Sequence, residues 1–539
     1  MTALLLAATP LAPLLLLAAM VVPGWRARLL GLLWLAPLPG LACALLAAGG
    51  EPFIVYARVR LTLALDQPSA MLLGVAALLW CAASVYVRAY VERDAQWRFA
   101  AWWLPTMAGS LGVFVAGDLV GFYFVYALAS LPAWGLVIHD RTPRAWAAGG
   151  TYILLTVIGE AALLAAFALL AAFTPGDSLA IADVLPSLAT APLRDLAIGF
   201  LVIGFGLKAG LVPLHVWLPL AHPAAPMPAS AVLSGAIIKA GIIGLVRFLP
   251  VEVTPAGWGE ALAVAGFVTA FWGVAVGITQ RNPKTVLAYS SVSQMGVVVA
   301  AIGMGLAGGI ATTPAAAAFY AAHHVLAKGA LFLAVGVVAV AGGRARWLVI
   351  GPAVVLALGF GGMPLTGGWL AKEAVKAELG SGLAGLLSAL SAAGSTLLML
   401  HFARLLATGA AKDPSARPPA GTLLPWLAMA GAAVAVPWLL FAPGTGGVLA
   451  DVLAPASLAK ALLPVLAGAA MLLPLARWGD RLPAIPEGDV IHPAQRLLGE
   501  AAPIGDALAW LEEGLRAWAV AGLALLALTG ALALPMLAP

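Results

Sequence analysis

Charge is what this sequence has least of. Only 9% of its 539 residues are Asp, Glu, Lys or Arg, against about 25% in an ordinary soluble domain. With 63% hydrophobic residues and a mean hydropathy of +1.02, the chain cannot clothe a water-facing surface of its own. Cysteine is nearly absent: Cys43 and Cys81 stand alone in apolar segments. No CxxC or Cys/His spacing suggests zinc or an iron–sulfur cluster, so no cofactor is expected and any redox group belongs to a partner. There is no Walker loop and no GxGxxG opening a helix after a strand, which argues against nucleotide chemistry. Alternating hydrophobicity is missing too; the apolar runs are continuous, which excludes a porin-like barrel. No basic region precedes the first run, "MTALLLAATPLAPLLLLAAMVVPGWRAR". It reads as a first transmembrane helix, not a cleaved signal peptide.

What is present is a series of apolar runs of about 20 residues, each enough to cross a hydrocarbon core of about 30 Å. About sixteen start, near residues 3, 28, 69, 100, 118, 149, 195, 227, 257, 285, 314, 347, 384, 421, 457 and 516. Counted over the intervening loops, 18 of the 28 Lys and Arg fall on one side, in "WRAR", "RAYVERDAQWR", "HDRTPR", "QRNPK", "GRAR", "RLLATGAAKDPSAR" and residues 476–516. Five fall on the other side: Arg58, Arg60, Arg194, Arg247 and Lys460. That bias puts both termini on the outer face of a bacterial inner membrane. The basic loops are short, so the net charge of +5 does not indicate a nucleic-acid partner. The polar stretch 476–518 carries helical apolar spacing beside Glu512, Glu513 and Arg516. It is expected as an interfacial helix or a plain polar connection.

The remaining lysines, Lys208, Lys239, Lys328, Lys372 and Lys376, fall inside spans, with Glu160 near the middle of another and His323, His324 and His401 beside them. A charge at the bilayer centre costs a few kcal/mol or more, so such residues face a bundle interior and mark ion paths. In "HHVLAKGALF", His324 and Lys328 are four apart and share a helix face, as do Lys372 and Lys376 in "AKEAVKAEL", with Glu373 between them. Burial loosens a lysine's hold on its proton and a nearby carboxylate tightens it. Moving the carboxylate switches the lysine between holding and releasing, and histidine can relay between such sites. Two spans also carry helix breakers beside their charges: "KAGLVPLHVWLPLAH", with His215 and His222, and "GFGGMPLTGGWLAKE". Irregular backbone at membrane depth survives only beside a cavity or protein. Paired breaks mark transporter repeats. Two five-span units, 100–250 and 257–406, are expected, between N-terminal transmembrane helices in 1–99 and C-terminal ones in 407–539.

The stretch "GLKAGLVPLHVWLPLAHPAAPMPASAVLSGAIIKAGIIGLVR" resembles two consecutive spans of the antiporter-like subunits found in respiratory complex I, in Mrp antiporters (subunits A and D) and in hydrogenase-4-type membrane complexes. "QRNPKTVLAYSSVSQMG", "HHVLAKGALF" and "GMPLTGGWLAKE" extend the resemblance over about 100–410. It implies an all-α protein of fourteen to sixteen transmembrane helices with two inverted five-helix repeats, each with a broken helix. Lys208 matches the lysine of the first broken helix, Lys239 the connecting lysine, His324 and Lys328 the His-x-x-x-Lys pair, and Lys372 the titratable residue of the second broken helix. One departure stands out. Where the family carries a glutamate that pairs with the first lysine, this chain has Ala127. Glu160 is the expected substitute, and Asp118 the less central one.

The leading expectation is a membrane subunit that moves H⁺, with H⁺/Na⁺ exchange left open, through Lys208, Lys239, Lys328, Lys372, Glu160 and His324. His215, His222, His323, Glu373, Lys376, His401 and Asp118 are accessory candidates, and no residue is expected to bind a metal. Other membrane subunits and a peripheral subunit are the expected partners, with no catalysis by the chain alone. It would serve a proton-translocating oxidoreductase or hydrogenase complex. An inorganic-carbon uptake complex and a non-pumping anchor are the rivals; a quinone-reducing enzyme lacks any cofactor motif.

Overall fold

In lipid each backbone N–H and C=O must be satisfied within its own segment, so continuous apolar runs become helices. The computed structural model describes residues 1–493 except positions 59, 256, 484 and 492. Among these, thirteen helices are long and apolar enough to cross a membrane, from Thr2–Met20 to Pro455–Trp478. Gln96–Gly112 is slightly shorter at 17 residues, and Ala345–Gly359 continues through a break into Gly367–Ala374 and Lys376–Leu379. Several starts are written in the sequence as a capping residue followed by proline. Asp66, Thr142 and Asn282 each accept a hydrogen bond from a first-turn amide, on Ser69, Ala145 and Lys284. The cap supplies the acceptor and proline gives up a donor that had no partner there.

Residues Met1–Glu487 form one compact unit. Within it, five crossings follow one another between Gln96 and Phe248, and five more between Trp258 and Thr408. Five is odd, so the second run enters from the opposite face and is inverted relative to the first. The fourth crossing of each run is the broken one: Arg194–Ala209 gives way to Trp217–Ala224, and Ala345–Gly359 to Gly367–Ala374. Among the described residues, one hairpin departs from an all-helical reading. Phe53–Tyr56 and Leu61–Leu63 pair antiparallel, with Phe53 opposite Leu63 and an irregularity between Ile54 and Tyr56. Of the second unit, Gly488–Pro539, only residues 488–491 and 493 are described, including a turn closed by the Ile491 amide on the Gly488 carbonyl. The span expected near 516 and most of the polar stretch 476–518 lie outside the described residues.

The centre of the first unit is polar where a soluble core would be dry. Pro283–Gly308 and Thr313–Ala339 are wholly buried along their apolar windows, and Met227–Phe248 is 94% buried. Yet these three helices carry Lys239, Lys284, Lys328, His323, His324, Ser290, Ser291 and Gln294, all buried. By contrast, Thr2–Met20 and Pro455–Trp478 are buried along only 22% and 11% of their apolar windows. A seam of glycines makes the centre tight. Gly259, Gly266 and Gly273 recur every seven residues and face Gly296 and Gly303 on the next helix. A Cβ at Gly296 would lie 2.5 Å from the Ala270 amide nitrogen. Only residues without a Cβ allow backbones to approach so closely.

Candidate functional site

The first broken helix ends where its sequence supplies a glycine. Gly210 takes the left-handed conformation (φ 85°) and closes the helix with hydrogen bonds to the Gly206 and Leu207 carbonyls. That conformation is open to glycine at little cost. Lys208 therefore sits in the last turn of Arg194–Ala209, where the negative end of the helix dipole favours an ammonium. Its Nζ donates to Ser130 Oγ at 2.6 Å and lies 5.3 Å from the Tyr126 ring centre and 5.9 Å from that of Tyr152. Ser130 is held in place, its hydroxyl donating to the Tyr126 carbonyl at 2.7 Å while Tyr152 donates to its carbonyl at 2.9 Å. Glu160, buried on Pro143–Phe173, interacts electrostatically with Lys208 and with the Ser130 hydroxyl. Its Oε1 makes no hydrogen bond. Ser130 is thus the shared neighbour of the lysine and the carboxylate. Asp118 serves elsewhere: it caps Leu119–Ser130 through Gly121 at 2.7 Å and holds the Thr62 amide at 2.8 Å.

Lys239 opens the helix that packs against the Lys208 helix; a Cβ at nearby Gly241 would lie 3.1 Å from that of Ala209. Immediately before it, Leu233–Ile237 is a turn of π-helix. Such a turn shifts the hydrogen-bond ladder by one residue and frees a carbonyl; here the Lys239 ammonium reaches the Ser234 carbonyl at 3.2 Å. Its second contact is His324 Nδ1 at 2.7 Å. Lys328 donates to the Leu287 carbonyl at 2.9 Å and to Ser290 Oγ. The expected His324–Lys328 pair shares a face but not a bond, because each faces a different neighbouring helix. Phe360, at the edge of the second break, ties the group together. Its ring centre is 4.8 Å from Lys328 Nζ and 5.5 and 5.7 Å from the His323 and His324 rings.

The second break runs through Gly361 and Gly362 (φ 89°) to Leu365, a non-glycine held at φ 67°, a conformation that costs of order 1–3 kcal/mol and persists only where the surroundings impose it. Lys372 lies in the last turn of Gly367–Ala374; its Nζ is buried with no hydrogen bond. His323 lies close enough to feel its charge and packs on Gly368, where a Cβ would approach its Nε2 to 3.0 Å. Lys376, expected inside the span, is instead exposed and paired with Glu373 at 2.8 Å, because the helix breaks again at Val375.

Two residues enlarge the site beyond the expected set. Ser130 is one. The other is Lys284, which the basic loop "QRNPK" disguises as a surface residue but which the structure buries. Its ammonium bonds the Ala225 carbonyl and the Pro223 carbonyl (3.4 Å) at the end of the first broken helix. It interacts electrostatically with Asp140, on the adjoining loop, and with His222. His222, stacked on Phe332 at 4.6 Å, also feels Lys328. His215 packs near Tyr289, ring centres 6.2 Å apart. His401 stands apart from this group and meets the Gln280 carbonyl at 2.8 Å. The buried groups thus form a Glu160–Ser130–Lys208 cluster and, beside it, a line from Lys372 through His323, His324, Lys239 and Lys328 to His222 and Lys284.

Residues 116–398, which carry all of that line, match the family described as NADH:quinone oxidoreductase/Mrp antiporter, TM. The chain belongs to this family. Curated relatives include hydrogenase-4 component B of Escherichia coli strain K12, 32% identical over 298 residues that cover 52% of this chain and 43% of that protein. NADH-quinone oxidoreductase subunit N of Desulforudis audaxviator is 31% identical over 347 residues, 60% of this chain and 68% of that protein. The chain spans about half the length of the curated relatives it matches. Among solved structures, a chain of the Mrp complex from Dietzia sp. DQ12-45-1b superposes with a TM-score of 0.71 at 22% identity, over 86% of this chain and 99% of that chain. A chain of respiratory complex I from Thermus thermophilus gives 0.63 at 25% identity, over 82% of this chain and 98% of that chain.

Proposed function

We propose that this chain is an ion-translocating membrane subunit that carries H⁺ along its buried lysine and histidine line, within a larger membrane complex. The single observation that carries this reading is the Lys239–His324 contact of 2.7 Å. A lysine and a histidine sharing one hydrogen bond in a wholly buried position can exchange a proton, because one must donate and the other accept. Isolated buried charges do not do this; they are paired or they are absent. His323 with Lys372 extends the exchange toward the second break on one side, and Lys328 continues it on the other. Lys284, His222 and Asp140 extend it toward the basic loops. The Glu160–Ser130–Lys208 cluster forms the first proton-holding station, with Ser130 and Glu160 together replacing the family glutamate absent at Ala127.

The relatives' names support partnership with other membrane subunits, and the loop charges support a bacterial inner membrane with both termini outside. An anchor with idle charges is the competing reading, and the buried polar spine weighs against it, since replacing buried charged groups by well-packed apolar ones is often neutral or stabilising.

The test is proton uptake into vesicles holding the purified complex, followed with a pH-sensitive dye. Lys208→Ala is expected to cut the initial rate at least tenfold while the complex assembles as before; tenfold corresponds to about 1.4 kcal/mol of barrier. Undiminished uptake by the variant would remove Lys208 from the path.

A further inference from the structure

Below the second break lies a cavity of about 310 Å³, lined by residues that include Trp369, Lys372, Glu373, Lys376, Ser388 and Lys460. Two of its buried donors have nothing to give to: Lys372 Nζ and Trp369 Nε1 make no hydrogen bond. An ammonium has three donors and no acceptor, and an indole N–H is a donor only. Among the described residues, the cavity's one carboxylate, Glu373, is taken by Lys376 at 2.8 Å. What remains among the described residues is two donors without acceptors and two cations without an opposite charge, the Lys372 ammonium buried and Lys460 exposed at the rim. We propose that this cavity binds a small inorganic anion, a halide or an oxyanion of similar size.

The chemistry selects the sign and the size. Water alone could accept from both donors, but it would leave the buried Lys372 ammonium and the exposed Lys460 at the rim without an opposite charge. Sodium would add a third positive charge to it. An anion accepts from Lys372 and Trp369 and offsets both charges at once. The volume of about 310 Å³ holds a small anion together with waters of its hydration shell. One wall comes from outside the matched family region. Lys460 lies on Pro455–Trp478, beyond residue 398, so the site depends on a helix that the shared module does not include. An ion seated there lies beside Lys372 and makes the occupancy of the cavity a control on that lysine's proton. The inference concerns the same lysine as the proposed path but is read from binding, not flux.

The experiment is a chloride titration of the purified complex in uncharged maltoside micelles, with gluconate as the replacement anion, read from the chloride-35 NMR linewidth. Micelles of neutral detergent remove lipid headgroups as an alternative source of the anion. A saturable broadening is expected, with affinity lowered at least tenfold in a Lys376→Gln/Lys460→Gln variant and saturable broadening lost in Ser388→Glu, which puts a fixed carboxylate in the cavity. The two lysines are exposed, so the double variant keeps its fold, as gel filtration would verify. Nitrate and bicarbonate are expected to compete with chloride. No saturable component, or one equal in the wild-type complex and both variants, would overturn the proposal. Proton uptake is measured separately: chloride binding with no uptake would count against the transport reading alone, and uptake without chloride binding against this one alone.

Discussion

At the scale of single residues, the site turns on a serine. Ser130 accepts from Lys208 at 2.6 Å, and a hydrogen bond to a charged group is worth about 1.5–3 kcal/mol. Ser130→Ala is therefore expected to slow uptake by roughly ten- to a hundredfold, measured with the same vesicle assay. Glu160→Gln keeps the shape and removes the charge, and a slowed rate is expected there too. If Glu160→Gln leaves the rate unchanged while Ser130→Ala lowers it, the serine alone serves Lys208. Some of this was open to reading in sequence. Lysines in apolar runs announce themselves, and so does a mid-span glutamate. Ser130 does not, because a serine in a membrane helix is ordinary; its one signal is that it lies three residues past Ala127, on the same helical face. Lys284 hides for a different reason. Its burial depends on the end of Trp217–Ala224 folding over it, which is a tertiary fact that no local pattern carries.

A residue outside the spans gives a pH prediction. Burial, with the neighbouring Arg98 and Arg141, pushes the His139 imidazole down to about 4. Phe99 packs edge-on against it, ring centres 5.0 Å apart. The unfolded chain takes up this proton near the ordinary 6.5 and the folded chain only near 4, so the unfolded state binds more protons between those values. Stability from this group is then complete above about pH 6.5 and is lost as pH falls toward 4. Thermal unfolding in detergent should show that fall, and His139→Gln should flatten it. An unaltered pH profile in the variant would contradict the assignment.

At the scale of elements, the breaks and the seam do different work. Both broken crossings put a lysine in the last turn of a half-helix, which uses the backbone dipole to hold a cation where lipid would expel one. Glycine and proline beside the lysines make these breaks legible in the sequence. The π-turn at Leu233–Ile237 is not, since nothing in "VLSGAIIKAG" distinguishes it from plain helix. The short hairpin at Phe53–Leu63 was hidden too, being too brief and too exposed to pattern clearly. The glycine seam between Trp258–Gly277 and Pro283–Gly308 has a period of seven and sets how closely the Lys284 and Ser290 helix approaches its neighbour. Gly296→Leu would drive a side chain into the Ala270 backbone. Overpacking of this kind typically costs about 1–3 kcal/mol or more, and where backbone must move the upper end applies. The melting temperature of the purified complex should drop by several degrees; an unchanged value would show that the seam can open without cost.

At the scale of the whole molecule, the architecture reads as two inverted runs sharing one polar interior. The helices that carry the most charge are the most deeply buried, and the apolar ones face outward. That reversal of the soluble pattern is the structural reason to regard the buried line as the functional one. The run of crossings and the position of the breaks were legible from apolar lengths and from glycine and proline. Contacts between distant helices, above all Lys239 with His324, required the fold. The two residues are 85 positions apart, and neither motif points at the other.

That contact is also where the account is most exposed. Lys239→Met keeps the length and apolar stem of the side chain and removes its proton. The decisive measurement is the initial rate of proton uptake by vesicles holding the complex with this single change, alongside a check that all subunits are retained. The account predicts a fall of at least tenfold, about 1.4 kcal/mol or more of barrier, with assembly intact. Uptake at the wild-type rate would mean that protons do not pass through Lys239, and the buried line would lose its role as the path.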